Sequence, residues 1–196
     1  MTDLITEALE NFRVLYEKAR GTDIQEPTAM TLATAGKNGR PSSRTVLLKG
    51  FDSRGFVFYT NLDSRKARQL QDNPWASLTF YWPVLERQVQ IEGAVEFVDD
   101  KEADAYWATR PRESQIGAWA SHQSQPLANR DDLLLEAKRI AEIHEGREIP
   151  RPPRWSGFRV IPNRIEFWKN MPHRLHERIV YLRDDSGAWS KTLLNP

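Results

Sequence analysis

Five strand signals crowd between Ala29 and Val98, and three of the four joins between them are shorter than the dozen residues a parallel crossover needs. The runs are Ala29 to Thr34, Arg44 to Lys49, Phe56 to Thr60, Ala76 to Trp82 and Glu86 to Val98. Gly36 and Gly39 mark one turn, Asp52-Ser53-Arg54-Gly55 another, and Pro83 a hairpin tip. The last arm alternates at Val89, Ile91, Val95 and Phe97, the period of a strand with one buried face. Strands this close predict an antiparallel barrel rather than βαβ units, so the fold class is mainly β with added helices.

Helical periodicity frames this sheet. Leu4, Ile5, Leu9, Phe12, Leu15 and Tyr16 predict an amphipathic helix from Asp3 to about Ala19. A short helix is expected from Ser64 to Asn73, where Pro74 stops it. Asp99 with Glu102 forms a capping-box pattern opening a helix to about Thr109. Asn129, Asp131 and Asp132 open a longer one, with Leu134, Leu135, Ile140 and Ile143 as its apolar face. After the Pro150-to-Pro153 loop, strands are expected at Trp155 to Val160, Arg164 to Trp168 and Arg178 to Arg183, the last with a hairpin partner beyond Gly187. Residues 1–196 read as a single domain with an N-terminal helix and helical insertions around 99–145.

Composition removes several function classes. Lys+Arg 28 against Asp+Glu 27 gives a net charge of +1, so no global field favours nucleic acid. There is no cysteine, hence no disulfide, thiolate nucleophile or Cys-ligated metal, as suits a reducing compartment. The opening Met1-Thr2-Asp3-Leu4-Ile5-Thr6-Glu7 has no basic and apolar leader pattern, and no apolar run reaches membrane-spanning length. A cytoplasmic protein without membrane or nucleic-acid partners is expected. P-loop, GxGxxG and Gly-x-Ser-x-Gly motifs are all missing.

Four basic clusters remain. Arg44 and Lys49 flank an apolar run and fall on opposite faces unless the strand bulges or ends between them; alone they read as solvated charges. Ser64-Arg65-Lys66 puts two cations at a helix start, the wrong sign for the dipole, which suits either a bound anion or a solvated face. Tyr106, Arg110, Arg112 and Ser114 surround the break at Pro111, a set that suits a phosphate monoester or an ordinary helix corner. His173, Arg174, His176 and Arg178 follow the aromatic run Ile165-Glu166-Phe167-Trp168 and point to an anionic, ring-shaped ligand. No further His, Cys or acid stands at metal-ligand spacing from these histidines, so no metal is expected.

Taken in order, these motifs resemble the pyridoxamine 5'-phosphate oxidase family across nearly the whole chain, from Glu26-Pro27-Thr28-Ala29-Met30 to Leu193-Leu194-Asn195-Pro196. The resemblance is carried by Arg44 to Lys49, Phe58 to Asn61 with Ser64 to Lys66, Glu86 to Val89, Arg110 to Trp119, Gln123-Ser124 and His173 to Arg178. It implies an FMN-binding split β-barrel working as a homodimer with FMN at the interface. The implied activity is oxidation of pyridoxamine 5'-phosphate and pyridoxine 5'-phosphate to pyridoxal 5'-phosphate, with dioxygen reduced to hydrogen peroxide. By the same resemblance Arg44, Val46, Leu47, Lys49, Tyr59, Thr60, Arg65, Lys66, Gln88, Gln123, Ser124, Trp168 and Arg178 hold or line FMN. Lys49, Tyr106, Arg110 and Ser114 hold the substrate phosphate, while Arg174 and His176 close over its ring as the catalytic pair. Arg178, Gln88 and Gln123 are candidates to stabilise charge on the reduced flavin, and Arg174 to orient the reacting carbon.

Two departures qualify the resemblance. The N-terminal arm that many members fold over the substrate is expected to be short or missing. Asn73 to Ser77 and Tyr81-Trp82 resemble the related phenazine-pathway oxidases. A dihydrophenazine-type flavin oxidase and a non-catalytic flavin- or haem-binding split-barrel protein are the alternatives.

Overall fold

The computed structural model describes residues 3–196; Met1 and Thr2, which open both the expected leaderless N-terminus and the expected 1–196 domain, lie outside the described residues. Helix α1 (Leu4–Arg20) buries Ala8, Phe12 and Ala19, one face of the anticipated periodicity. Phe12 is its anchor, meeting Phe51, Phe56 and Phe80 edge-on at centroid distances of 4.8, 5.0 and 5.1 Å. Such edge contacts add to what the buried area alone contributes. Among the described residues no helix is long and apolar enough to cross a membrane.

The strands are β1 (Ala29–Ala35), β2 (Pro41–Leu47), β3 (Gly50–Asp52), β4 (Gly55–Asn61), β5 (Trp75–Trp82), β6 (Arg87–Phe97), β7 (Trp155–Lys169), β8 (Glu177–Arg183) and β9 (Trp189–Leu194). Helices α2 (Arg65–Asp72), α3 (Asp100–Ala108), α4 (Arg112–Ala120) and α5 (Arg130–Ile143) interrupt them. One curled sheet runs β2-β1-β5-β6-β7-β4-β3, with β8 on β7 and β9 on β8. Every pairing in it is antiparallel, as the short joins predict.

Three expectations are corrected. The strand expected from Arg44 to Lys49 instead starts at Pro41 and ends at Leu47. Past that end the Leu48 N–H donates to Thr28 O and the Lys49 N–H to Val57 O, so alternation no longer separates Arg44 from Lys49. The strands expected at Trp155 to Val160 and Arg164 to Trp168 are one strand, β7. Its first half pairs with β4 and its second with β8, while β6 follows both. Pro162 lacks an N–H, but the register jumps there, with Asn163 left out between Pro162 opposite Gly93 and Arg164 opposite Glu92. The bulge absorbs the proline that the sequence presents as a strand break. Finally, Leu134, Leu135 and Ile143 are exposed at 55%, 65% and 44%, and only Ile140 of that face is buried. Helix α5 leans on α4 rather than on the sheet, so a single stripe is covered.

Gly93 makes the bulge possible. A Cβ there would stand 1.9 Å from Ile161 O and 2.7 Å from Ile161 C, both backbone atoms that cannot swing away. Gly93→Ala is therefore expected to cost about 2 kcal/mol or more and to lower Tm by roughly 4–8 °C. A thermal melt within a degree of the parent would remove this account of the bend.

Candidate functional site

A cavity of about 880 Å³ opens where β2, β4, α2 and the α3–α4 corner meet. Arg44, Val46, Leu47, Lys49, Tyr59, Thr60, Arg65, Lys66, Gln123 and Ser124 line it, as do Tyr106, Arg110 and Ser114. Gln88, Trp168, Arg174, His176 and Arg178 do not. One protomer thus brings thirteen of the eighteen expected residues together and holds the other five apart.

The first group within the cleft is built by β2 and α2. Ser64 caps α2, its Oγ accepting from the Ala67 N–H at 3.4 Å, and the two following residues are Arg65 and Lys66. Lys66 Nζ donates to Thr60 Oγ1 at 2.9 Å and Gln123 Oε1 at 3.1 Å. The Arg65 N–H donates to Ser124 Oγ at 3.2 Å, and Ser124 itself is left-handed at φ 70°. Arg44 donates to Leu32 O, Thr34 Oγ1 and Ser42 Oγ at 3.1, 2.7 and 2.6 Å. All these acceptors are neutral. Burial, then the Arg44 charge, pulls the Lys66 ammonium down to about 8. Burial and Arg65 likewise hold Arg44 below its usual value. Cations so placed, with neutral partners only, are suited to a dianionic phosphate, which would supply the missing countercharge.

The second group centres on Arg110. Its guanidinium lies over Trp155 at 4.8 Å and Trp107 at 5.2 Å, and donates to Ser114 O at 3.0 Å. Burial lowers its pKa from the usual arginine value. Beside it Tyr59, Tyr106 and Trp155 form a cluster of near-parallel rings, with Tyr59 at 4.1 Å from Tyr106 and 5.1 Å from Trp155, the planes within 12° and 4°. Burial pushes the Tyr59 phenol up to about 12, so it remains neutral near pH 7. Gly157 leaves room for this stack, since a Cβ there would meet the Tyr59 ring at 2.7 Å. Sequence reading missed Trp155 and Gly157, because tryptophan beside glycine in a strand carries no ligand signal.

Three of the remaining five residues form a row across three strands. Gln88 on β6 faces Trp168 on β7, which faces Arg178 on β8, so all three share one face of the sheet. Arg178 Nε donates to Glu166 Oε1 at 2.6 Å, and Arg164 NH2 donates to Glu166 Oε2 at 2.5 Å. Burial would raise the Glu166 carboxyl, but Arg178 and Arg164 outweigh it and hold the pKa low. Glu166 was also missed; an acid inside Ile165-Glu166-Phe167-Trp168 is the one signal that marks it. His176 packs on Trp168 at 4.6 Å, and its Nδ1 accepts from the Met171 N–H at 3.3 Å. His173 and Arg174 sit consecutively at φ 59° and 60°, a left-handed pair that costs non-glycine residues energy and marks a specialised loop.

A curled antiparallel sheet with a cation-lined cleft at the β2–β4 rim belongs to the flavin-binding split-barrel class. An FMN-binding protein of Nostoc punctiforme PCC 73102, related to pyridoxamine 5'-phosphate oxidase, shares this fold at TM-score 0.75 and 22% identity, over 95% of this chain and 96% of its own. PhzG from Burkholderia lata 383, solved with tetrahydrophenazine-1-carboxylic acid, matches at TM-score 0.90 and 36% identity, over 100% of this chain and 94% of its own. The family model described as pyridoxamine 5'-phosphate oxidase matches residues 17–144. That described as the pyridoxine 5'-phosphate oxidase C-terminal dimerisation region matches residues 155–196. The pyridoxine/pyridoxamine 5'-phosphate oxidase of Myxococcus xanthus (strain DK1622) is 53% identical over 97% of this chain and 92% of its own. That of Xanthomonas euvesicatoria pv. vesicatoria (strain 85-10) is 53% identical over the full length of both. This chain belongs to the pyridoxamine 5'-phosphate oxidase family.

Proposed function

We propose that this protein uses FMN to oxidise pyridoxamine 5'-phosphate and pyridoxine 5'-phosphate to pyridoxal 5'-phosphate, reducing dioxygen to hydrogen peroxide. The observation that carries this reading is the pair of carboxylate-free cationic groups in one cleft, Arg44/Arg65/Lys66 and Lys49/Arg110, flanking a Tyr59–Tyr106–Trp155 stack. Two phosphates need two such groups, one for FMN and one for the substrate. A tricyclic carboxylate substrate leaves the second group without a phosphate, and the 53% relatives bear the oxidase name while the 36% relative is PhzG. The non-catalytic alternative gives no reason for the second group at all.

FMN, when bound, supplies the two-electron acceptor that dioxygen restores. The chain's own residues bind, orient and polarise. Arg44, Arg65 and Lys66 take the cofactor phosphate, with Thr60 and Gln123 accepting from Lys66 and Ser124 from the Arg65 N–H to hold them in place. Lys49, Tyr106, Arg110 and Ser114 take the substrate phosphate. The amine substrate loses two electrons and two protons, water completes the aldehyde, and ammonia leaves; the alcohol loses the same electrons and protons directly.

The five residues outside the cleft are proposed to serve the site of a second protomer in a homodimer. The dimerisation-region match covers four of them, Trp168, Arg174, His176 and Arg178. Arg174 would then orient the reacting carbon and His176 close over the substrate ring, while Arg178 and Gln88 would donate to the bound flavin and favour negative charge on it. Glu166 holds the Arg178 fork in the direction that face requires. A cytoplasmic setting fits a chain without cysteine.

The test is direct. The purified protein is expected to be yellow, to release one FMN per subunit on denaturation, and to form peroxide with pyridoxamine 5'-phosphate. A flavin-loaded protein with no turnover on that substrate would instead favour the storage reading.

A further inference from the structure

We propose that Arg151, which lies outside the cleft, is a positioning residue for the substrate-phosphate group, setting where Tyr106 and Arg110 stand relative to Trp155. The inference rests on the functional reading above and names a residue that sets its substrate affinity.

Helix α3 carries Tyr106 and Trp107, and Arg110 follows directly after its C-cap Thr109. Yet α3 buries only Ala103 and Trp107, so apolar packing alone seats it loosely. To the bond that Trp107 Nε1 donates to Ile149 O at 2.7 Å, Arg151 adds the constraint that ties α3 to β7. Its Nη2 donates to Asp100 Oδ1 at 2.7 Å and its Nε to Asp104 Oδ1 at 2.5 Å, gripping two acids one helical turn apart. Its Nη1 donates to the backbone carbonyl of Trp155 at 2.9 Å. One planar fork thus joins the helix that bears the phosphate donors to the residue whose ring lies under Arg110.

The arrangement is unlike an ordinary surface ion pair. The Arg151 side chain is 14% exposed, whereas Asp100 and Asp104 are 88% and 61% exposed. The cation is covered and the acids reach in to it, so its orientation is fixed by three acceptors at once. On the other flank Arg159, 3% exposed, holds Glu102 through two bonds of 2.8 and 2.6 Å. Arg159 fixes only the first turn of α3, through Glu102, so loss of the Arg151 bond to Asp104 frees the next turn to shift and carries Tyr106 and Arg110 with it. Misplacement on the ångström scale costs up to about a hundredfold where donors must converge on one group.

The experiment compares the parent, Arg151→Ala, and the Asp100→Asn/Asp104→Asn double variant, each also in an Arg110→Ala background. KM and kcat are measured with pyridoxamine 5'-phosphate, flavin content by absorbance, and affinity for pyridoxal 5'-phosphate by calorimetry. Both routes of disconnection are expected to raise KM and the calorimetric Kd roughly tenfold, with kcat and flavin content within about twofold of the parent. In the Arg110→Ala background the further loss should shrink to about threefold or less, because the part of the Arg151 effect carried by Arg110 is already gone and only the part carried by Tyr106 remains. The double variant removes only exposed acids, so it reads the same link should Arg151→Ala fold poorly. Parental KM in both disconnected forms, or an undiminished effect without Arg110, would overturn the positioning role while leaving the oxidase reading intact. A parent protein that neither binds nor oxidises the phosphorylated compounds would instead overturn the oxidase reading, and the positioning role with it.

Discussion

Replacing Arg65 and Lys66 together by alanine is expected to give a folded, colourless protein. Each charge-assisted contact to a phosphate is worth about 1.5–3 kcal/mol, so losing two weakens FMN binding by roughly 10²- to 10⁴-fold. Folding should survive, since Lys66 bonds only neutral partners and is repelled by Arg44, and the bond Arg65 makes to Ser124 is through its backbone N–H, which alanine keeps. The parent should also show a pH signature. Burial holds the free Lys66 ammonium near 8, and a bound phosphate raises that value by adding the missing anion. Above pH 8 binding must therefore take up a proton, and FMN affinity should fall as pH rises, by up to about tenfold per unit. Below pH 8 the lysine is charged in both states and this slope vanishes. Lys66→Ala should flatten the curve above pH 8. Fluorescence titration of FMN against pH measures both effects, and parental flavin content in the double variant would sink the assignment.

How much of this site is legible in the sequence depends on whether its residues are neighbours in the chain. Ser64-Arg65-Lys66 conflicts with its own helix dipole, and that local conflict is enough to raise an anion site as a candidate. Tyr106, Arg110 and Ser114 are legible for the same reason, lying within nine residues of one another. Trp155 and Gly157 are not, since their value lies in stacking with Tyr59 across the β4–β7 pairing. Likewise the Gln88–Trp168–Arg178 row exists only once β6, β7 and β8 are in register. The order of strands is legible only as antiparallel neighbours joined by short turns. That β7 is one bent strand is hidden by Pro162, whose missing N–H costs nothing at a bulge that Gly93 opens. The α5 face misleads because apolar periodicity tells which side of a helix is greasy, and whether anything packs on it is a separate matter.

Arg110→Ala and Arg174→Ala are expected to fail in different ways and to rescue each other when mixed. In the proposed site Arg110 holds the phosphate in ground and transition states alike, so its loss should raise KM roughly ten- to a hundredfold while largely sparing kcat. For the same reason unphosphorylated pyridoxamine should be a very poor substrate of the parent. Arg174, exposed on its left-handed loop, is proposed to meet the ring rather than the phosphate, so its loss should depress kcat by about two orders of magnitude through a misplaced reacting carbon. Arg110 lines the cleft of its own chain and Arg174 does not. If a two-fold dimer completes each site with the partner's Arg174 loop, a hybrid of the two variants holds one site with both defects and one with neither. Random mixing makes about half the dimers hybrid, so about a quarter of parental activity should return, with parental KM. Steady-state kinetics on co-refolded variants would show it. Activity no higher than the sum of the separate variants would mean that Arg110 and Arg174 serve the same protomer's site, and the shared-site reading would fall.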